Sequence, residues 1–253
     1  MTSKQVMLTL MLMLLVVGCE MQPKPAEPLS APYASRRVWA VAPLRNESGS
    51  LHADGLMFAD RFVRALENAQ GLDTLPVNRT LEAMQSLRLE QITSPGEAMQ
   101  LMQALGADGL VVGTLTAYDP YDPPKVGIAV ELYLNKDVEK LERLDPRALS
   151  EAAVDRGPLP GVMQRQQPVS VASAFLDAAD PQVRQMMKRF AVDRGVEKDP
   201  RFVLFKEQDD QWRLYRISID LYAEFVGYEM SRRLLDVERQ RLSLASAAST
   251  PTP

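Results

Sequence analysis

The sequence predicts a single α/β domain of three-layer type, with a mixed sheet of about five strands flanked by helices. Three observations predict it. Short apolar runs of strand length alternate with longer stretches of helical period through residues 36–244. The chain has 253 residues, 46% hydrophobic and 25% charged, which is ordinary globular composition. A chain of this size buries roughly 70–75% of its unfolded surface, enough for one full core. No internal repeat divides it.

Arg36 and Arg37 open a buried-type strand, Val38 to Leu44. A polar loop, Arg45 to Gly49, leads to a helix over about residues 51–70. Phe58, Phe62 and Leu66 form its stripe, and Gly71 is its expected stop. A short strand, Leu72 to Val77, precedes a helix expected to be capped by Asn78 and to run through Leu81, Met84 and Leu87. Ser94-Pro95-Gly96-Glu97 reads as a capping box, with Ser at the cap, Pro at the first helical position and Glu at the third. Ala98, Leu101, Met102 and Leu105 continue that helix to Gly106.

Leu110 to Tyr118 is the next strand. Asp119 to Pro124 is a proline-rich turn that cannot extend a ladder. Val126, Ile128, Val130, Leu132 and Leu134 then alternate with Gly127, Ala129, Glu131 and Tyr133, the pattern of a strand with one core face, hairpinned to its predecessor. Residues 136–168 read as an irregular charged insertion. Val169 to Asp177 is a further strand, and Asp180-Pro181 starts a helix. Residues 195–217 are ambiguous, with Phe202 to Phe205 readable as strand or helix. A closing helix, about 219–243, carries Tyr222, Phe225, Val226, Met230 and Leu234 on one stripe, with Glu238 to Arg241 expected in solvent. The tail 245–253 is expected to be disordered.

Net charge is -4, so no basic excess exists to hold a nucleic acid. One Cys and one His leave no set for a zinc site or a disulfide framework. No metal or cofactor is expected. His52 with Asp54, Ser48 and Ser50 is the nearest approach to a hydrolase constellation, but no nucleophile elbow accompanies it. Asp119 and Asp122 read as turn carboxylates, not a calcium loop. Arg36, Arg37 and Arg45 read as a solvated strand edge. The aromatic residues Tyr118, Tyr121, Tyr133, Trp212 and Tyr215 are the candidate partner interface, because exposed aromatics concentrate at protein interfaces.

The N-terminus reads as an address. Lys4 precedes an apolar run, Val6 to Val17, of 12 residues. A bilayer span needs about 20, so the run fits a signal-peptide core. Val16-Val17-Gly18-Cys19 resembles the lipobox of bacterial lipoproteins. The resemblance implies a signal over 1–18 and a lipid on Cys19, with the membrane as a partner through that lipid. Glu20 stands where an Asp would retain an enterobacterial lipoprotein at the inner membrane, so the outer membrane is implied. Residues 19–35 comprise Cys19 and an extended tether with Pro23, Pro25, Pro28 and Pro32; the sixteen residues after Cys19, at about 3.1 Å each, reach roughly 50 Å.

Further motifs follow the tether. A strand ends Val41-Ala42-Pro43-Leu44-Arg45-Asn46, a long helix holds Phe58-Ala59-Asp60, and Gly106-Ala107-Asp108-Gly109-Leu110-Val111-Val112-Gly113 enters a central strand. Residues 37–135 therefore resemble periplasmic lipoprotein domains of the curli-secretion (CsgG-like), penicillin-binding-protein-activator and TolB N-terminal group. These share a P-x-x-N loop and a G-A-D entry to a central strand. The resemblance implies a non-enzymatic envelope adaptor that binds another envelope protein or its own copies. The alternative is a subunit of an oligomeric export apparatus, although only one hairpin is evident where the secretion channels use two. A periplasmic hydrolase is the third reading.

Overall fold

A computed structural model describes residues 28–135, 167–194 and 211–249. The signal segment, Cys19, most of the expected insertion and residues 195–210 lie outside the described residues. The strands are β1 (Arg37–Val41), β2 (Arg45–Asn46), β3 (Leu72–Thr74), β4 (Gly109–Asp119), β5 (Lys125–Leu134) and β6 (Ser170–Asp177). The helices are α1 (Gly55–Glu67), α2 (Val77–Ser86), α3 (Pro95–Leu105), α4 (Pro181–Arg194), α5 (Gln211–Ile217) and α6 (Ile219–Ser249). The sheet order is β3-β1-β4-β5-β6, with β2 pairing onto β4. β1, β2 and β3 run parallel to their neighbours, whereas the β4–β5 and β5–β6 pairs are antiparallel. The expected mixed α/β sheet is thus present, open and not closed into a barrel.

Helices cover both faces unequally. On one face α1, α4 and α6 bury Trp39, Phe58, Phe62, Phe190, Tyr222 and Phe225 in the main core. Each phenylalanine among them contributes about 1.5–3 kcal/mol through removal from water. On the other face α2 and α3 cover a smaller cluster built on Ala40, Ala42, Leu101, Met102, Leu110 and Tyr133. Helices α1 and α6 meet closely at Gly227, where a Cβ would come within 2.9 Å of the Arg61 backbone.

The predicted capping box is formed. Ser94 Oγ accepts from the Glu97 amide, the Glu97 carboxylate accepts from the Ser94 amide, and Gly106 closes the helix at φ 62. Other boundaries move for identifiable reasons. The expected strand 38–44 breaks after Val41, because Pro43 has no N–H and the Leu44 amide turns to Gly55 O at 3.0 Å. The first helix starts at Gly55, since Asp54 caps it through the Leu56 and Met57 amides. Its approach to Leu44 O admits no Cβ at all at Gly55. The second helix starts after Pro76, so Asn78 lies in its first turn and is not its cap.

Four further expectations are corrected. β5 does not leave its second face wholly open: the even positions Val126 to Leu134 face the main core, and Tyr133 packs in the smaller cluster, while Ala129 and Glu131 stay half-exposed. Glu238, expected in solvent, is fully buried. Arg37 is buried, not a solvated edge, and its guanidinium lies 5.1 Å over the Tyr33 ring. Helix α6 continues past Leu244 to Ser249, supported by alanines and by Ser243 and Ser246 hydroxyls bonding back to carbonyls. Residues 211–217 resolve as helix α5.

The tether expected to run free to residue 35 is docked before that. Leu29 is buried, Ser30 bridges to Gln70, and Ala31 N–H donates to Gln70 O at 2.8 Å. This segment meets the sheet at the amino ends of the parallel strands.

Candidate partner surface

The carboxyl ends of β1, β2 and β4 point to one end of the molecule, where ligands commonly meet open α/β sheets. Two loops build that end, residues 47–54 after β2 and the turn 120–124 between β4 and β5. Asn46 organises the first. Its Nδ2 donates to Ser50 O (2.8 Å) and Ala53 O (3.2 Å), and its Oδ1 accepts from the Ser48 amide and hydroxyl. The P-x-x-N pattern therefore works as a loop staple. It holds Leu51 at the tip, 99% exposed, beside Leu56 at 43%.

The second loop carries Tyr121, 76% exposed, with its amide bonded to Asp119 Oδ1. Asp122 pairs with Arg216 at 2.7 Å, which brings the end of α5, including exposed Ile217, to the same place. Tyr118 is half-buried and meets Phe58 edge-on at 6.2 Å. Burial pushes its phenol up, aided by the negative charges of Asp220 and Asp54. The result is an apolar set, Leu51, Leu56, Tyr121 and Ile217, among the carboxylates of Asp54, Asp119, Asp122 and Asp220. Isolated exposed apolar residues are ordinary; several at one end of a fold mark an interaction site.

The five aromatic residues singled out from sequence do not form one surface. Tyr118 and Tyr121 lie at this end. Trp212 is half-buried on α5, with Lys188 Nζ 5.3 Å from its ring. Tyr133 (5% exposed) and Tyr215 (2%) are core residues, which corrects their assignment to a partner face. Tyr133 hydrogen-bonds Glu131 at 2.7 Å, and Tyr215 packs edge-on against Phe190. Sequence reasoning overlooked Leu51, Leu56 and Ile217. The interruption of helical period near residue 51 was the available signal.

The residues of the hydrolase reading have other work. Asp54 caps α1, Ser48 bonds Asn46, and the Ser50 hydroxyl accepts from the His52 amide, while His52 itself is exposed. An open polar depression between α1 and α6 is lined by Arg61, Arg64, Ala65, Glu67, Asn68 and Glu224. Among the described residues no group of three His, Cys, Asp or Glu side chains is placed to hold a metal ion. No described helix is long and apolar enough to cross a membrane.

The opposite end is held by Glu238. Its carboxylate accepts from Tyr33 Oη (3.0 Å), Ser170 Oγ (2.7 Å), and Arg241 Nε and Nη2 (2.8 Å each). Arg239 adds a bond to Ser30 O at 3.0 Å. These contacts lock the segment before β1 to the closing helix.

No family model matches the sequence, and no curated protein matches it. Among solved structures it is similar to the LpoB C-terminal domain from Salmonella enterica, at 18% identity over 43% of this chain and 76% of that chain, with a TM-score of 0.32. It is similar to lipoprotein GNA1162 from Neisseria meningitidis, at 19% identity over 39% and 72% of the two chains, TM-score 0.31. The hypothetical protein CT253 from Chlamydia trachomatis aligns over 84% of this chain and 97% of its own, at 13% identity and a TM-score of 0.33. The curli-secretion and TolB resemblances rest on the sequence motifs alone.

Proposed function

We propose that this protein is a lipid-anchored adaptor of the bacterial cell envelope, fastened through Cys19 and acting by binding another envelope protein. The anchor reading rests on the lipobox-like Val16-Val17-Gly18-Cys19 and the proline-rich stretch after it. The single observation that carries the binding reading is the polarity of the fold. Residues 29–31, downstream of Cys19 in the chain, dock at the amino ends of the parallel strands, and the exposed apolar set lies at their carboxyl ends. β4 alone separates the two ends by about 35 Å, from eleven residues at about 3.3 Å each. An anchor at one end leaves the other end presented to a partner. The acidic rim favours a partner with apolar and basic groups.

The test uses the full chain in its own cells. A photo-crosslinking residue at Tyr121 is expected to capture one discrete envelope protein, and the same residue at Asn78 to capture none. Leu51→Asp with Ile217→Asp is expected to abolish the Tyr121 product. Radiolabelled palmitate is expected to enter the wild-type chain and not Cys19→Ala. Equal labelling of both sinks the anchor; no discrete product from Tyr121 sinks the adaptor.

A further inference from the structure

The two edges of the sheet differ. β3, at one edge, is three residues long, carries Asp73 paired to Arg36, and is followed by Pro76. Short length, charge and proline are the usual protections of an edge against pairing. β6, at the other edge, spans eight residues, SVASAFLD, with no Pro, no Lys and a single charge at its last position. That charge, Asp177, is occupied by Lys125 at 3.4 Å. The register of β6 on β5 runs without a slip from Lys125↔Asp177 to Leu132↔Ser170. No bulge blunts it.

The phase of the hydrogen bonds identifies which groups point away from β5. Ala178 N–H donates to Pro124 O, one step beyond the last strand pair. Antiparallel pairing alternates, so the even-numbered residues of β6 bond to β5. Val171, Ser173 and Phe175 then turn their N–H and C=O groups outward. The same three residues project from the sheet face that α2 and α3 leave open. Val171 is 51% exposed, Phe175 is 61% exposed, and Ser173 is exposed between them. Edge and face thus present one uncharged strip.

We propose that β6 pairs antiparallel with β6 of a second copy of this chain, about a two-fold axis at Ser173. The strand is complementary to itself in that register. Val171 of one copy lies opposite Phe175 of the other, and Ser173 faces Ser173. Ala172 and Ala174 are paired on the covered face. All outward amides and carbonyls of the three central residues find partners, and no charge is buried. A two-fold contact of this kind closes on itself, so it ends at a dimer and leaves no β6 edge exposed for further growth. The pairing is independent of the lipid anchor and of the partner surface at the carboxyl ends of the strands.

The experiment uses the full 253-residue chain carrying Cys19→Ala, purified in a non-ionic detergent, so that failure of the anchor reading has no bearing. Sedimentation equilibrium is expected to give a dimer. Ser173→Lys and Ser173→Glu, each with unchanged circular dichroism, are expected to be monomers, because like charges meet at the axis. Mixing the two variants is expected to restore a dimer containing one copy of each. As a second measurement, a short bis-maleimide is expected to join Ser173→Cys chains and to leave Val171→Cys chains unjoined. A monomeric parent chain overturns the proposal. So does an oligomer that survives both charged variants, or a mixture that stays monomeric.

Discussion

Ser170 Oγ donates a 2.7 Å hydrogen bond to Glu238 Oε2 across 68 positions of sequence, inside the protein. With Tyr33 and Arg241 on the same carboxylate, it joins β6, the closing helix and the segment before β1 at one point. A carboxylate buried this fully persists because every lone pair is engaged.

Glu238→Ala is therefore expected to destabilise the protein by about 3 kcal/mol, the scale for stranding the partners of a buried charge. Tyr33→Phe removes one hydrogen bond and is expected to cost about 1 kcal/mol. Urea denaturation followed by circular dichroism measures both. Equal costs for the two variants would show that Glu238 has no role beyond its bond to Tyr33.

Tyr222 is fully buried, and among the described residues its hydroxyl has no hydrogen-bond partner. An unpartnered buried hydroxyl forfeits its hydration for nothing, at about 1–3 kcal/mol. Tyr222→Phe is expected to raise the thermal midpoint. A lower midpoint would mean that the hydroxyl has a partner after all.

The phenols of Tyr33, Tyr133 and Tyr222 are all pushed above the ordinary value of 10.0. Burial is the first cause in each. The neighbouring carboxylates of Glu238, Glu131 and Asp177 add to it in turn. The folded state holds these protons more tightly than the unfolded state. Their contribution is complete below pH 10.0 and is lost as pH rises above it. Alkaline titration is expected to show phenolate absorbance from these residues appearing together with loss of helix signal. Ionisation of all seven tyrosines with the fold intact would contradict this.

Gly55 and Gly227 sit at close approaches of different severity. A Cβ at Gly55 would fall inside the Leu44 carbonyl, whereas one at Gly227 would be 2.9 Å from Arg61. Gly227→Ala is expected to cost about 1–3 kcal/mol through overpacking. Gly55→Ala is expected to cost more, since it must also part the Leu44–Gly55 backbone bond. The comparison is read from denaturation midpoints, and the reverse order would refute it.

Asn46→Ala is expected to change the global unfolding free energy by no more than about 1 kcal/mol while freeing residues 47–54. Limited proteolysis is the readout, with new cleavage near Leu51. Unchanged protection would show that the Asn46 side chain is not the staple.

Much of the fold was legible in the residues themselves. The box Ser94-Pro95-Glu97 and the αL stop at Gly106 are local chemistry, and they stand where they were expected. The period-two strand over 125–134 was equally plain, because its phase is written in consecutive side chains. The partner surface was not legible in that way. Tyr133 and Tyr215 look like Tyr121 in sequence, yet they are buried while Tyr121 is 76% exposed. Burial depends on which helix crosses which strand, and no local pattern records that.

The amino-acid sequence by itself determined the class of architecture, the placement of nearly every strand and helix, and the lipobox-like segment at Val16 to Cys19. Each depends on neighbours within a few positions of the chain. Only the tertiary structure decided that Glu238 is a buried keystone, that residues 29–33 belong to the fold, and that, among the described residues, one sheet edge is guarded while no strand pairs with the outer edge of β6. Those facts come from contacts between residues far apart in the chain, where packing and desolvation, not local propensity, set which group meets water.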